Sequence, residues 1–499
     1  MGLKGLLARP FAAIIAARVK RDARQAIQLQ EAIMQQLVQS AQNTAFGKDH
    51  GFATIRSHAD FISQVPIRDY EALRPYIDRM VKGEEHVLWP GKPLYLAKTS
   101  GTTSGVKYIP LTKESIPNHI QAARNALLLY IHETGKTQFV DGKMIFLQGS
   151  PVLEKKNGID VGRLSGIVYH FVPQYLQRNR MPGYEINCIE DWEEKVEAIA
   201  TETRNEPMTL ISGIPPWVLM YFERLLAQTG KTHIKDVFPD FSLFVYGGVN
   251  YAPYRSRIEE IIGKPVDAIE TYPASEGFIA YQDSQREPGL LLNVNAGMFY
   301  EFVPAQEVFS DNPPRLTLKD VEIGENYAIL ISSNAGLWAY NIGDTVKFVS
   351  KNPYRIVVSG RIKHFISAFG EHVIGEEVEY ALLKAAAEAQ VDIVEFTVAP
   401  QVNPQSGLPY HEWFVEFGTE PGNMPDFALK VDQYLQEKNI YYRDLITGKI
   451  LKPLVITPMQ RDAFRLYMKS KGKLGGQNKV PRLSNDRQIA DELIQWTVC

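Results

Sequence analysis

The chain has 499 residues, 45% of them hydrophobic and 22% charged, which is enough apolar material for a large core and two or three domains. A formal net charge of -3 argues against a dedicated nucleic-acid binder, since phosphate-backbone binding leaves a basic footprint. With only Cys188 and Cys499, one of them C-terminal, neither a disulfide framework nor a cysteine zinc site is expected, and a reducing, cytoplasmic compartment fits best.

At the N-terminus, Lys4 and the apolar run Phe11 to Ala17 have the outline of a short signal peptide, but Arg9, Pro10 and Arg18 interrupt it. Amphipathic, Ala/Gln-rich sequence continues from Val19 to Gln42, so the expectation is a helix packed on the body. No stretch approaches the roughly 18 apolar residues of a membrane span, which predicts a soluble protein with no membrane partner. No internal repeat is visible. Helical periodicity marks residues 20–42, 112–133, 191–204, 216–228 and 374–390. Apolar runs alternate with these at Lys143 to Gln148, Thr209 to Ser212, Ser242 to Tyr246, Val266 to Thr271, Ala328 to Ser332 and Thr345 to Val349. That alternation predicts an α/β fold with βα units and a parallel-rich sheet.

Beyond Arg355 to Arg361 the pattern changes to a compact α+β unit: the 374–390 helix, strands near Val391 to Ala399 and His411 to Gly418, then a helix from Asp426 to Lys438. The boundary is placed near Ser359 to Lys363, dividing 1–359 from 360–499. Glycine beside charged residues there suits a hinge. A plain turn at Ser359-Gly360 accounts for it equally well.

The most informative segment is Lys98 to Lys107, KTSGTTSGVK, which follows the strand-like Pro93 to Ala97. Its glycines let the backbone approach a bulky anion, while N–H groups and hydroxyls supply donors to phosphate oxygens. A Walker A loop needs four residues between its glycines and then Gly-Lys-Ser/Thr opening a helix. Here only three residues separate Gly101 from Gly105, Val106 intervenes before Lys107, and Tyr108-Ile109-Pro110 follows, so a P-loop ATPase or kinase is disfavoured. A flexible Ser/Thr/Gly linker has the same composition.

Two further turns follow strands, where open α/β sheets bind ligands: Tyr246-Gly-Gly-Val-Asn250 and Glu270-Thr-Tyr-Pro-Ala-Ser-Glu-Gly277. The paired glycines can admit a flat base, Tyr272 can stack on it, and Glu276 is a hard oxygen ligand suited to Mg²⁺. Structural turns around a buried tyrosine explain the same residues. In Tyr340 to Lys347, Asp344 is read on a turn before a strand, either bonding a ribose diol or completing an Asx turn. Near the end, Lys479 in a Gly-rich segment can deliver an ammonium to a developing phosphate charge, or belong to a solvated basic loop.

Taken in order, KTSGTTSGVK, YGGVN, ETYPASEG, YNIGD, SGRIKHFISAFGEHVIGEEVE and GGQNKVPR resemble the motifs of the adenylate-forming superfamily that includes firefly luciferase and acyl-CoA synthetases. The closest resemblance is to the auxin-responsive acyl-acid amido synthetases, the Gretchen Hagen three family. It covers nearly the whole chain, including PIRDYEALRPYIDRMVKGE and the YPASEG form of the adenine motif. The resemblance implies a large N-terminal adenylation domain and a smaller mobile C-terminal domain. It implies a ligase that uses ATP and Mg²⁺ to convert a carboxylic acid to an acyl adenylate and passes the acyl group to an amino acid amine. Acyl-CoA ligation and non-catalytic nucleotide binding are the alternatives. By the same resemblance Ser100, Gly101, Thr102 and Thr103 hold phosphates, and Gly248, Thr271, Tyr272 and Ser275 line the nucleotide. Glu276 serves the metal and catalysis, Asp344 the ribose, Arg361 or Lys363 the hinge beside the nucleotide, and Lys479 the α-phosphate. Ser275 is not an acyl-enzyme serine, because ASEG is not a Gly-x-Ser-x-Gly elbow. Arg124, on the 112–133 helix, is a candidate partner for a substrate carboxylate or an exposed helix-face arginine. The expected partners are a small carboxylic acid and an amino acid, with a monomer favoured.

Overall fold

The computed structural model describes residues 3–498 except 101–105, 172–177, 249–250, 363–364, 367–370, 372, 403, 448–450, 474–479 and 485. Among the described residues an eleven-stranded mixed sheet organises the larger part of the chain. One half is parallel, in the order Arg180–Met181, Lys143–Phe146, Met208–Ser212, Leu243–Gly247 and Asp267–Ala274. The other half is antiparallel and continues through Gly277–Tyr281, Leu290–Leu292, Tyr354–Arg361, Tyr340–Lys351, Asn326–Ser333 and Met298–Pro304. The expected parallel-rich sheet is therefore parallel in one half only.

Alternation along the parallel strands sorts side chains to two faces. Met144, Leu210, Leu243 and Ile269 pack under helices Ile116–Thr134 and Leu3–Arg24. Ile145, Ile211 and Phe244 pack under Trp192–Thr203, Pro215–Thr229 and Ala252–Ile262. The antiparallel half closes on a separate apolar core with helix Ala26–Ala41 and the fully buried Trp338, whose indole N–H donates to the Leu88 carbonyl at 3.1 Å.

The N-terminal helix starts at Leu3 and runs through Pro10 to Arg24, then gives way to a second helix at Ala26. Pro10 is exposed, so water can satisfy the carbonyl that its ring leaves unbonded. No helix among the described residues is long and apolar enough to cross a membrane.

The last strand of the large sheet ends at Arg361, opposite Asp344. Ser359-Gly360 lies within that strand and is not a turn. The C-terminal unit that follows sets strands Ile393–Gln401, Tyr410–Phe417 and Val455–Met459 against helices Gly375–Ala389 and Met424–Lys438 around its own core.

Candidate functional site

A cleft of about 2570 Å³ runs along the C-terminal ends of the parallel strands and beneath the C-terminal unit. It is lined on one side by Gly247, Gly248, Thr271 to Glu276 and Asp344, and on the other by Glu379, Glu395, Arg465 and Arg482.

The floor is built where two parallel strands end together, Gly247 opposite Thr271. Thr271 Oγ1 donates to the Tyr246 carbonyl at 2.9 Å, and a Cβ on Gly247 would stand 2.4 Å from the Thr271 carbonyl oxygen. Only glycine fits there. Gly248 has φ of 80°, in the left-handed region that favours glycine. On the same wall, the hydroxyl of the buried Tyr272 donates to Asp344 Oδ2 at 2.6 Å. Asp344 stands inside the strand Tyr340–Lys351 and not on a turn before it. The distortion is local: Gly343 has φ of 85°, its N–H donates to Asn341 Oδ1 at 2.9 Å, and the pairing register shifts after Thr345.

Ser275 and Glu276 form the turn between Asp267–Ala274 and Gly277–Tyr281, Ser275 buried and Glu276 half-buried on the cleft wall. Among the described residues no cluster of three metal-ligating side chains exists. Glu276 nevertheless fits Mg²⁺, which binds through one or two carboxylates and completes its shell with substrate phosphates and water.

The Ser/Thr/Gly run falls in sequence between two paired antiparallel strands, Tyr95–Ser100 and Val106–Leu111, with Ser100 opposite Val106 as the last pair. A strand follows the run where a Walker A loop requires a helix. Its two lysines diverge: Lys98 Nζ pairs with Glu154 at 2.6 Å, while Lys107 lines the cleft with its ammonium 5.4 Å from the Tyr70 ring centroid. Gly101, Thr102, Thr103, Lys363 and Lys479 lie outside the described residues, as do the side chains of Ser100 and Arg361.

Arg124 is not an exposed helix-face arginine. It is half-buried on the cleft wall, its guanidinium 5.9 Å from the Phe11 ring centroid, and its Nε is buried without a hydrogen bond. The cleft lining also includes the apolar Leu127, Phe146, Leu164, Val168 and Trp217, and His119 is held neutral because burial pushes its pKa down to about 4. The structure thus brings Arg124, Gly248, Thr271, Tyr272, Ser275, Glu276 and Asp344 to one cleft.

Sequence reasoning assigned no individual role to Tyr246 and Glu270, which open the two turns, and none to Arg255; all three are on the cleft wall. Burial raises the Glu270 carboxyl above its usual range, an effect opposed by Arg255, and burial followed by Glu270 raises the Tyr246 phenol. Glu270 opens the ETYPASEG motif on the same strand as Tyr272, a period-two position that places both on one face.

Three family models match the chain in order: the GH3 family N-terminal domain over residues 15–182, the GH3 family central domain over 291–361 and the GH3 family C-terminal domain over 376–488. Indole-3-acetic acid-amido synthetase GH3.15 of Arabidopsis thaliana is 33% identical over 518 aligned positions, covering 85% of this chain and 84% of that protein. Jasmonoyl–L-amino acid synthetase JAR4 of Nicotiana attenuata is 22% identical over 386, and the match spans 64% of this chain and only 66% of the relative. The solved GH3.15 acyl acid amido synthetase superposes with a TM-score of 0.81 over 98% of this chain and 97% of its own, at 17% identity over the superposed positions. A 2-hydroxyisobutyryl-CoA ligase in its postadenylation state superposes with a TM-score of 0.59 at 13% identity, covering 95% of this chain and 92% of that one. These superpositions establish a shared fold.

Proposed function

The chain belongs to the GH3 family, and on that premise we propose that it is an ATP-dependent acyl-acid amido synthetase. A carboxylate oxygen of the acid attacks the α-phosphorus of ATP, pyrophosphate leaves, and an acyl adenylate forms. An amino acid amine then attacks the acyl carbon, AMP leaves with the electron pair of the broken C–O bond, and the amine proton passes to solvent. The observation that carries this reading is the Tyr272–Asp344 hydrogen bond, which joins two strands 72 residues apart on one wall of the cleft.

A carboxylate is a poor acyl donor because its oxygen leaves badly, whereas adenylate leaves readily. Making the mixed anhydride requires two anions to meet, so the chemistry is a matter of positioning and charge neutralisation. In this reading Ser100, Gly101, Thr102 and Thr103 donate to phosphate oxygens. Gly247 and Gly248 admit the adenine, Thr271, Tyr272 and Ser275 line it, and Asp344 accepts the ribose hydroxyls. Glu276 holds Mg²⁺, which supplies screening of the triphosphate charge. Lys479 reaches the α-phosphate. Arg361 and Lys363 flank the point at which the C-terminal unit turns between half-reactions, and Arg124 faces the acid. We assign the enzyme to a reducing cytoplasm, acting as a monomer.

The test is incubation of the protein with ATP, Mg²⁺, a panel of aryl and fatty acids and mixed amino acids, with mass detection. Acid-dependent exchange of pyrophosphate into ATP and an amide product are expected. A thioester formed with CoA and no amide would overturn the assignment, and absence of exchange with every acid would point to a non-catalytic nucleotide binder.

A further inference from the structure

Arginines around the cleft mouth have carboxylate partners. Arg465 meets Glu193 at 2.6 Å, Arg257 meets Glu260 at 3.0 Å, and Arg482 is held by Glu395 and Glu379. Arg180, like Arg124, has no carboxylate partner among the described residues. It stands on the two-residue edge strand Arg180–Met181 and lines the cleft, its guanidinium carbon 4.1 Å from the Tyr169 ring centroid and 5.3 Å from that of Phe146. Its Nε and Nη1 are shielded from solvent without a hydrogen-bond partner. Burial pushes its pKa down to about 10, so it stays cationic at neutral pH, and among the described groups only Tyr169 opposes that shift. Two residues past Phe146, Gln148 also lines the cleft with a buried Nε2 that lacks a partner.

A partly desolvated cation without an anion is costly, and the faces of two aromatic rings compensate for it only in part. A guanidinium fork is matched to a carboxylate, which takes two parallel hydrogen bonds. The position of Arg180 tells which carboxylate. Stacking on Phe146 sets the guanidinium over the Lys143–Phe146 strand, which is separated from Asp267–Ala274 by Met208–Ser212 and Leu243–Gly247. Three inter-strand spacings of about 4.8 Å leave roughly 14 Å to the strand that carries Thr271 and Tyr272. That spacing sets Arg180 apart from the strand beside which the reacting carboxyl would lie.

We propose that Arg180 and Gln148 form a subsite for a second carboxylate, so that the acid activated in this cleft is a dicarboxylic acid bound by its remote end. The inference rests on the acid-activating reading of the cleft. The same cleft has apolar lining residues, Leu164, Val168 and Trp217 among them, to accept the hydrocarbon that joins the two carboxyls.

The test uses the full chain and acids in matched pairs: straight-chain dicarboxylates of five to eight carbons with their monocarboxylic counterparts, and terephthalate with benzoate. Acid-dependent pyrophosphate exchange is measured without an amino acid, for the wild type, Arg180→Gln, Arg180→Lys and Gln148→Leu. A charged hydrogen bond is worth about 1.5–3 kcal/mol, so Arg180→Gln should lose about 10- to 150-fold in kcat/KM for the diacid while the monoacid changes little. Arg180→Lys should recover part of that loss. Gln148→Leu should show a weaker version of the same selectivity, and it decides the matter if Arg180→Gln does not fold. Equal rates for diacid and monoacid in the wild type, equal losses for both in the variants, or a loss confined to the amide-forming step would overturn the proposal. Thermal shifts with the same acids in the absence of ATP separate this inference from the activity reading. If no acid supports exchange, that reading fails, yet a diacid that raises the Tm of wild type and not of Arg180→Gln still establishes the subsite. Identical shifts in the two proteins would overturn it.

Discussion

The phenol of Tyr272 donates to Asp344 Oδ2 at 2.6 Å, fixing the carboxylate assigned to ribose. Oδ2 carries the tyrosine bond, which orients the group for hydroxyl donors from the nucleotide. Asp344→Ala should raise KM for ATP by about 10- to 100-fold, the range of a hydrogen bond to a charged group. Tyr272→Phe leaves the charge and removes only the orientation, so its effect should be smaller, about tenfold or less by the same scale. Pyrophosphate exchange at varied ATP checks both. An unchanged KM in Tyr272→Phe would mean that the phenol does not position Asp344.

Gly247→Ala places a Cβ 2.4 Å from a backbone oxygen, a contact that no rotamer can relieve. The strand ends must separate, and the Thr271–Tyr246 hydrogen bond goes with them. A misplacement of about 1 Å in a positioning site costs on the order of 100-fold in rate. The expected result is that loss in exchange with a modest fall in Tm, read by exchange kinetics and thermal denaturation. Retained activity would show that the nucleotide does not sit against this strand end.

Lys479 and Glu276 separate the half-reactions. Lys479→Ala should cut adenylate formation by about 100- to 1000-fold, the cost of one well-placed donor at a developing charge, while amide formation from supplied acyl adenylate survives better. Equal loss in both steps would contradict a role confined to the first. Glu276→Ala should shift the Mg²⁺ titration of exchange to higher concentration, and an unmoved titration would remove Glu276 from the metal.

Long periodic elements were legible in the sequence, and so were motifs carried on their ends. The helices at Pro215–Thr229 and Gly375–Ala389 start and stop within two residues of where apolar spacing places them. Gly277–Tyr281 and Leu290–Leu292 were not legible, because they are short, buried on both faces and show no alternation, so the antiparallel strands that join the two halves of the sheet escaped notice. Gly343-Asp344 reads as a turn because its glycine does adopt a turn conformation, yet tertiary pairing carries the strand through it. Arg180 gave no signal at all. Its place in the cleft depends on a two-residue edge strand pairing with Met144 and Ile145, a contact 36 residues away that no local pattern encodes.

Charged contacts near the surface help to hold the C-terminal unit over the cleft. Glu193 receives Arg465 and Lys469, each at 2.6 Å, and Lys347 pairs with Glu376 at 2.8 Å. Exposed pairs of this kind contribute about 0–1 kcal/mol each, weak enough to be broken in turnover. Glu193→Gln should therefore change the balance between half-reactions and leave Tm nearly unchanged. Single-turnover measurement of adenylate formation and amide formation checks this, and a large fall in Tm would make Glu193 a structural anchor instead.

Far from the cleft, a buried charge cluster makes the sharpest stability prediction. Glu301 accepts from Arg315 Nε at 2.9 Å and Nη2 at 2.6 Å, with His58 Nε2 at 2.8 Å, and both Glu301 and Arg315 are buried. Burial alone would raise the Glu301 pKa, but Arg315 and then His58 outweigh it, so the net shift is downward from 4.5. A carboxyl with a depressed folded pKa contributes stability above its unfolded pKa and loses it as pH falls through the folded value. Glu301→Gln leaves the Arg315 charge buried without its counter-ion, at a cost of about 3–5 kcal/mol at neutral pH. The gap in Tm between wild type and Glu301→Gln should be widest above about pH 5 and close as pH drops below the ordinary carboxylate range. Thermal denaturation of both proteins from neutral to acid pH measures it, and a gap that stays constant across that range would show that Glu301 holds its place by packing and not by charge.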